Sequence, residues 1–310
     1  MLKLENGNGF SVTLIEMGGA IQSIMMPDRQ GRLEDIVLGY DSEGEYPGHS
    51  CFGAFVGRYA NRIAGASFPL GGKRCRLTAN EGPNTLHGGH GYHLRPWQLE
   101  QTDEGALLRI SDPDGEDGFP GNLELSVEVT LSEDNELRFR YHAVCDKDTV
   151  VNFTNHSYFN LSGNETVLDH ELRLDSDRYL EIGPGLIPTG KLVDVTGTDF
   201  DFRQLRPIAS GKYDHCFVLS GSDDIQAEVW DPDSGRGFTM KTSEPAVQLY
   251  CGGGLGGVMG KGGRIYAPFA GFCLETQHYP DAPNHPEFPS TLLKAGEGFC
   301  SETSYRFFTR

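Results

Sequence analysis

The sequence predicts an all-β protein, built as a large antiparallel sandwich or barrel. Strand-type alternation is its dominant periodicity, no segment sustains a long helical period, and 41 glycines and 17 prolines divide 310 residues into short runs. Each candidate strand is bounded by Gly, Pro, Asp or Asn, the residues that turn a chain.

The clearest element runs from Leu123 to Leu131, where Leu123, Leu125, Val127, Val129 and Leu131 alternate with Glu124, Ser126, Glu128 and Thr130. Successive side chains of a strand point to opposite faces, so one face is apolar and the other wet. Shorter patterns of the same kind follow at Leu137 to Ala143, around Leu172 and Leu174, and from Ala246 to Cys251. Low-complexity linkers and clear internal repeats are absent. One β domain over residues 1–310 is therefore expected rather than two.

Composition narrows the function. A formal net charge of −18 repels phosphate backbones and anionic lipid, and no Lys/Arg cluster offsets it, so neither nucleic acid nor membrane is an expected partner. The stretch Met1 to Phe10 lacks the apolar core of a secretion signal and the length of a membrane span. Seven cysteines (Cys51, Cys75, Cys145, Cys216, Cys251, Cys273 and Cys300) contain no C-x-x-C pair, and several sit in apolar strand-like runs. Reduced, mostly buried thiols in a cytoplasmic protein are the expectation.

Several familiar motifs fail on inspection. Gly252, Gly254 and Gly257 match G-x-G-x-x-G, but Gly260, Gly262 and Gly263 follow where a phosphate-binding helix must start. Gly260-Lys261 lacks the earlier glycine and the following Ser or Thr of a P-loop, and the chain contains no G-x-S-x-G. Asp112, Asp114, Glu116 and Asp117 lack the flanking helices and terminal Glu of a calcium loop, so they read as a strand-connecting turn. His87, His90 and His93 have metal-like spacing, yet Gly88, Gly89 and Gly91 between them deny it a helix. No metal and no cofactor is expected.

Five polar patches remain inside apolar or glycine-rich sequence: Asn61-Arg62, His87, Asn155-His156, Asp214 and Glu275. Ionisable groups in such settings must be paired or functional, because desolvating an isolated charge costs several kcal/mol. Each alone has a plain structural use: His156 as a satisfied core histidine, Arg62 as a salt-bridged strand residue, Glu275 as that arginine's buried partner. Together they carry a resemblance. Gly57-Arg58-x-Ala60-Asn61-Arg62-Ile63 resembles the GRxANRI signature of the aldose 1-epimerases, or galactose mutarotases, and Pro83-Asn84-x-Leu86-His87-Gly88-Gly89 resembles their PNxLHGG. Asp114-Gly115-x-x-Gly118-x-Pro120-Gly121 is similar to their DGxxGxPG turn, and Thr154 to Leu161 to their TNHSYFNL block. Asp214-His215, the strand Val247 to Tyr250, and the long segment opening at Leu274-Glu275-Thr276-Gln277-His278 complete a collinear set from Gly57 to Leu293.

The resemblance implies a galactose mutarotase-like β-supersandwich with an open cleft and a reaction that interconverts the α and β anomers of free hexoses such as galactose or glucose. It implies that Glu275 is the base taking the anomeric hydroxyl proton while His156 gives one to the ring oxygen, opening the pyranose. Ordinary values near ~4.3 for Glu and ~6.5 for His suit an ionised carboxylate and a proton-carrying imidazole. Substrate-binding roles carry over to Arg62, His87, Asp214 and Gln248, and in lesser measure to Asn61 and Tyr158. His170, His215, His278 and His285 are expected to be structural. The segment Gly91 to Trp97 departs from the family pattern and is expected to alter the cleft wall; Cys251-Gly252-Gly253-Gly254 departs next to Gln248. Two rival readings use the same residues. A hexose-6-phosphate mutarotase needs a cationic pocket, for which only Arg58 and Arg62 are at hand, and a non-catalytic sugar-binding module has no need of both His156 and Glu275.

Overall fold

The computed structural model describes residues 1–47, 51–221 and 224–310. Among them, strands and 3-10 turns are the only regular elements, and no helix is long and apolar enough to cross a membrane. A nine-stranded antiparallel sheet forms one wall. Its spatial order is Gln98–Gln101, Gly105–Asp112, Leu123–Leu131, Glu136–Cys145, Gly298–Thr309, Arg236–Thr242, Ala227–Trp230, Glu171–Leu174 and Arg206–Pro207. The alternation read at Leu123–Leu131 is realised there: Leu123, Leu125, Val127 and Val129 are buried while Glu124 and Glu128 face water.

A five-stranded sheet packs against this wall, in the order Pro188–Asp194, Arg178–Ile182, Asp214–Val218, Ala246–Tyr250 and Cys273–Gln277. Its inward residues Phe217, Val247, Leu249 and Leu274 join Leu125, Tyr141, Phe238 and Tyr305 of the large sheet in one buried cluster. Two polar contacts fix the packing: Tyr305 donates its hydroxyl to the Leu274 carbonyl at 3.1 Å, and the hydroxyls of Thr276 and Thr303 meet at 2.7 Å. Removing a large side chain from such a cluster costs about 2–5 kcal/mol. A four-stranded meander, Leu2–Glu5, Ser11–Leu14, Ile21–Pro27 and Leu33–Asp35, adds Leu4, Val12, Leu14 and Ile24 to the same core.

Because side chains alternate, burying Leu274 and Thr276 in the sandwich turns Cys273, Glu275 and Gln277 to the opposite face. That second face is covered by connections carrying short strand pairs, Phe55–Val56 with Thr154–Asn155 and Arg62–Ile63 with Thr85–Leu86. The gap between sheet and connections is the cleft.

All seven cysteines are unpaired; Cys145, Cys216, Cys251 and Cys273 are buried, Cys51 and Cys75 partly so, and Cys300 is exposed. Gly253–Leu255 forms only a 3-10 turn, so no helix follows the G-x-G-x-x-G match. The acidic DPDGEDG segment connects strands through a turn at Glu116–Gly118.

Candidate active site

Three neighbouring strands build the floor of the cleft. Gln248 lies directly opposite Glu275 in the register, and Asp214 lies opposite Tyr250. The register brings Gln248 Nε2 to Asp214 Oδ1 at 2.6 Å, a donor held on a carboxylate. Glu275 is 2% exposed, and its Oε2 has no hydrogen-bond partner among the described residues. An unpartnered buried oxygen on a regular strand is costly to the fold and open to a ligand hydroxyl.

The rim is built differently. Asn61 and His87 both hold positive φ, +62° and +51°, which few side chains adopt without strain. They brace each other: the His87 amide donates to the Asn61 carbonyl at 3.0 Å, and the Asn61 amide donates to His87 Nδ1 at 3.2 Å. Accepting at Nδ1 puts the proton of the neutral ring on Nε2, so His87 is a donor at its other nitrogen. Gly88 follows at φ +77°, where a Cβ would lie 2.4 Å from the Gly57 carbonyl oxygen; this close approach requires the glycine of the His-Gly-Gly run. Arg62 is locked by a bidentate pair to Glu81, with Nε and Nη2 each 2.7 Å from a carboxylate oxygen. Its partner is thus Glu81, not Glu275.

His156 sits just beyond Thr154–Asn155, pinned by its own amide on the Ala54 carbonyl and by the Gly53 amide on its carbonyl. Its ring stacks on Tyr158 at 4.9 Å and meets the His87 ring edge at 5.4 Å. Nε2 is 3.6 Å from Glu275 Oε1, and Nδ1 is 3.4 Å from Cys273 Sγ.

Burial sets the proton affinities. It raises the Glu275 carboxyl well above the usual carboxylate range, reinforced by Asp214 and opposed by Arg62. It lowers His156 to about 4 and pushes His87 well below its ordinary value, with neighbouring histidines and Arg62 adding to the effect on His87. Both shifts disfavour the charged forms that exposed groups would hold at neutral pH. Two desolvated groups favour the neutral pair, with their shared proton on the carboxyl.

Asn61, Arg62, His87, His156, Tyr158, Asp214 and Glu275 all line one cavity of about 200 Å³, with Cys51, Leu86 and Tyr250. Gln248 stands beside them on the floor, its Nε2 held by Asp214 and its buried Oε1 without a partner among the described residues. Tyr250, two residues beyond Gln248, shares its strand face and is legible from the period of two. Glu81 carries no such signal. The segment Gly91 to Trp97 leaves the cavity wall untouched: Tyr92 is buried with its hydroxyl on Asp112, Trp97 Nε1 donates to the Tyr92 carbonyl, and His93 is buried behind His87. The segment thus packs one layer behind the cavity wall. Cys251 likewise lies in the core.

The histidine triplet diverges. His90 is exposed and paired with Asp117, whereas His87 alone faces the cavity. Donor atoms of His87, His156 and Glu275 lie within 4.8 Å of one another, a set that a metal can reach only with some side-chain rotation, since zinc ligands stand about 2.0–2.2 Å from the ion. His170 accepts from the Leu161 amide, His278 pairs with Glu244, His285 with Glu287, and His215 accepts from the Asp214 amide. A larger depression of about 520 Å³ on the outer sheet face has its arginines already engaged, Arg138 by Glu136 and Glu302 and Arg306 by Asp134.

The family model described as aldose 1-epimerase matches residues 1–306. The chain is 43% identical to a galactose mutarotase of Bos taurus over 312 residues, covering 96% of this chain and 90% of that protein. It is 39% identical to an aldose 1-epimerase of Escherichia coli K12 over 327 residues, covering 99% and 94%. Among solved structures, a GalM/aldose epimerase homologue from C. elegans superposes with a TM-score of 0.96 at 32% identity, covering 99% of this chain and 98% of that one. A galactose 1-epimerase from Lactobacillus acidophilus gives 0.87 at 28% identity, covering 99% and 93%.

Proposed function

The chain belongs to the aldose 1-epimerase family and interconverts hexose anomers, and we propose that it does so on free galactose or glucose through Glu275 and His156. The observation that carries this reading is the facing pair itself: Nε2 and Oε1 at 3.6 Å, with a second carboxylate oxygen unpartnered in the same cavity.

One proton is shared by the pair. With it on His156, the Glu275 carboxylate takes the O1 proton while Nε2 gives its proton to the ring oxygen; the C1–O5 bond breaks and C1 becomes an aldehyde. Rotation about C1–C2 presents the other face. Glu275 then returns its proton to the carbonyl oxygen as O5 attacks C1, and Nε2 takes the O5 proton. Burial disfavours the charge-separated pair from which ring opening starts, so opening discharges both groups together. The free N–H groups of Arg62 and Nε2–H of His87 donate to sugar oxygens, Asp214 accepts from hydroxyls with Gln248 steadying it, and Asn61 and Tyr158 shape the wall.

A phosphorylated sugar fits less well. Arg62 is the only Lys or Arg among the described residues on the cavity wall, and it is held by Glu81. Arg58 is buried against Asp112 and the Pro120 and Gly121 carbonyls. A single domain over residues 1–310 is supported by the buried cluster that joins residues from Leu4 to Phe307, and a cytoplasmic setting by seven unpaired cysteines. Polarimetry of freshly dissolved α-galactose and α-glucose tests the reading. The protein is expected to speed the approach to anomeric equilibrium; binding without acceleration would replace the enzyme by a sugar-binding module.

A further inference from the structure

We propose that Cys273 is a positioning residue: its sulfur holds the neutral His156 ring in the tautomer with the proton on Nδ1, keeping the Nε2 lone pair free for the sugar ring oxygen's proton. The proposal rests on the reading of His156 and Glu275 as the acid–base pair.

The placement follows from strand geometry. Cys273 and Glu275 are two residues apart on Cys273–Gln277, so their side chains leave the same face. His156 lies across that face and touches both, Glu275 through Nε2 and Cys273 through Nδ1. Cys273 is fully buried among Leu38, Phe52, Ala54 and Tyr158, so no water competes for Nδ1 from that side.

The reaction needs that tautomer. Ring closing requires a bare Nε2 to accept the O5 proton, and ring opening requires Nε2 to give it back, so Nδ1 keeps its proton through the whole cycle. A ring protonated on Nε2 while neutral cannot take the O5 proton there. Sulfur is a weak acceptor, and burial together with Glu275 keeps the thiol protonated by pushing it well above its ordinary value. Nδ1–H is thereby held by a neutral partner. A carboxylate in that place would stabilise the imidazolium and retain the proton that must leave.

The test is ¹⁵N NMR of the imidazole nitrogens, with kinetics of Cys273→Ala and Cys273→Ser. Wild-type His156 is expected to show a protonated Nδ1 and a bare Nε2. Cys273→Ala should shift that signal toward mixed tautomers and lower kcat on the order of ten-fold, the rate equivalent of one ordinary hydrogen bond, with KM changed less than about two-fold. Cys273→Ser, which restores an acceptor, should recover most of both. A wild-type ring protonated on Nε2, or a Cys273→Ala protein with unchanged spectrum and rate, overturns the proposal. Should Cys273→Ala fail to fold, the wild-type spectrum alone decides. An active His156→Asn would instead sink the acid–base reading on which the proposal rests.

Discussion

The floor and the rim of the cleft reach the same cavity by opposite means. On the floor, Asp214, Gln248 and Glu275 sit on regular strands whose register does the positioning, and their backbones are unstrained. On the rim, Asn61 and His87 hold left-handed backbone, Gly88 admits a close chain crossing, and two-residue strand pairs replace a sheet. The floor therefore delivers the chemical groups at little conformational cost, whereas the rim holds its donors against strain. Substitution should separate the two regions: removing the floor's buried carboxylate should cost turnover while sparing or raising stability, and rim changes should lower stability.

The largest effect is expected on the floor. Glu275→Gln keeps shape and hydrogen bonding but removes the proton acceptor, so anomer interconversion should fall by roughly 10²-fold or more while sugar affinity changes far less. The fold should gain. A carboxyl whose native value is raised keeps its full contribution to stability below its ordinary value and loses it as pH rises, so the stability advantage of Glu275→Gln should grow between about pH 4.5 and neutrality. Denaturant unfolding at pH 5 and pH 7 measures this, and an equal or lower mutant midpoint at pH 7 would contradict the buried-carboxyl account.

Next come the rim substitutions. Asn61→Val places a β-branched residue at φ +62° and should cost about 1–3 kcal/mol of stability, while Asn61→Gly costs less because glycine accepts that backbone. Comparable losses for both would show that the Asn61 side chain, whose Oδ1 receives the Arg62 amide, matters more than its backbone. His93, buried behind His87 with Nδ1 unpartnered among the described residues, is lowered by burial to about 4 from 6.5. A depressed value contributes stability above pH 6.5 that disappears as pH falls toward 4, up to about 3 kcal/mol. His93→Asn should flatten that acid limb, and a wild-type-like slope in the variant would shift the cause to His87 and His156. The smallest effect is expected from exhaustive chelation, since proton transfer between a carboxyl and an imidazole uses no metal. A loss of mutarotation rescued by zinc would make the His87, His156 and Glu275 donors a metal site instead.

The same division governs what was readable in the sequence. Period-two alternation located Leu123–Leu131, Glu136–Cys145 and Ala246–Tyr250, because a sheet with one buried face writes its geometry into every second residue. Ordered motifs brought out the lining residues from Asn61 to Glu275. Sequence spacing does not encode which chain segments cross, so Glu81 as the partner of Arg62 and the contact of Cys273 with His156 were not legible. Nor does spacing show that the Gln248 amide is drawn to Asp214 across the register. The expected charge states of Glu275 and His156 rest on exposed values, and burial, which spacing cannot reveal, shifts both toward their neutral forms.

The strand order of the large sheet also constrains when the protein can exist. Gly298–Thr309, the last strand in chain order, lies at the centre of the nine, hydrogen-bonded to Glu136–Cys145 on one side and Arg236–Thr242 on the other. A nascent chain therefore holds two half-sheets with open facing edges until this strand leaves the ribosome. Thr303 and Tyr305 on that strand anchor the strand of Glu275 through Thr276 and the Leu274 carbonyl. Completion of the wall and locking of the Glu275 strand thus become one event, and a chain cut before residue 298 is expected to be captured by chaperones or to aggregate rather than persist as a partly active fragment.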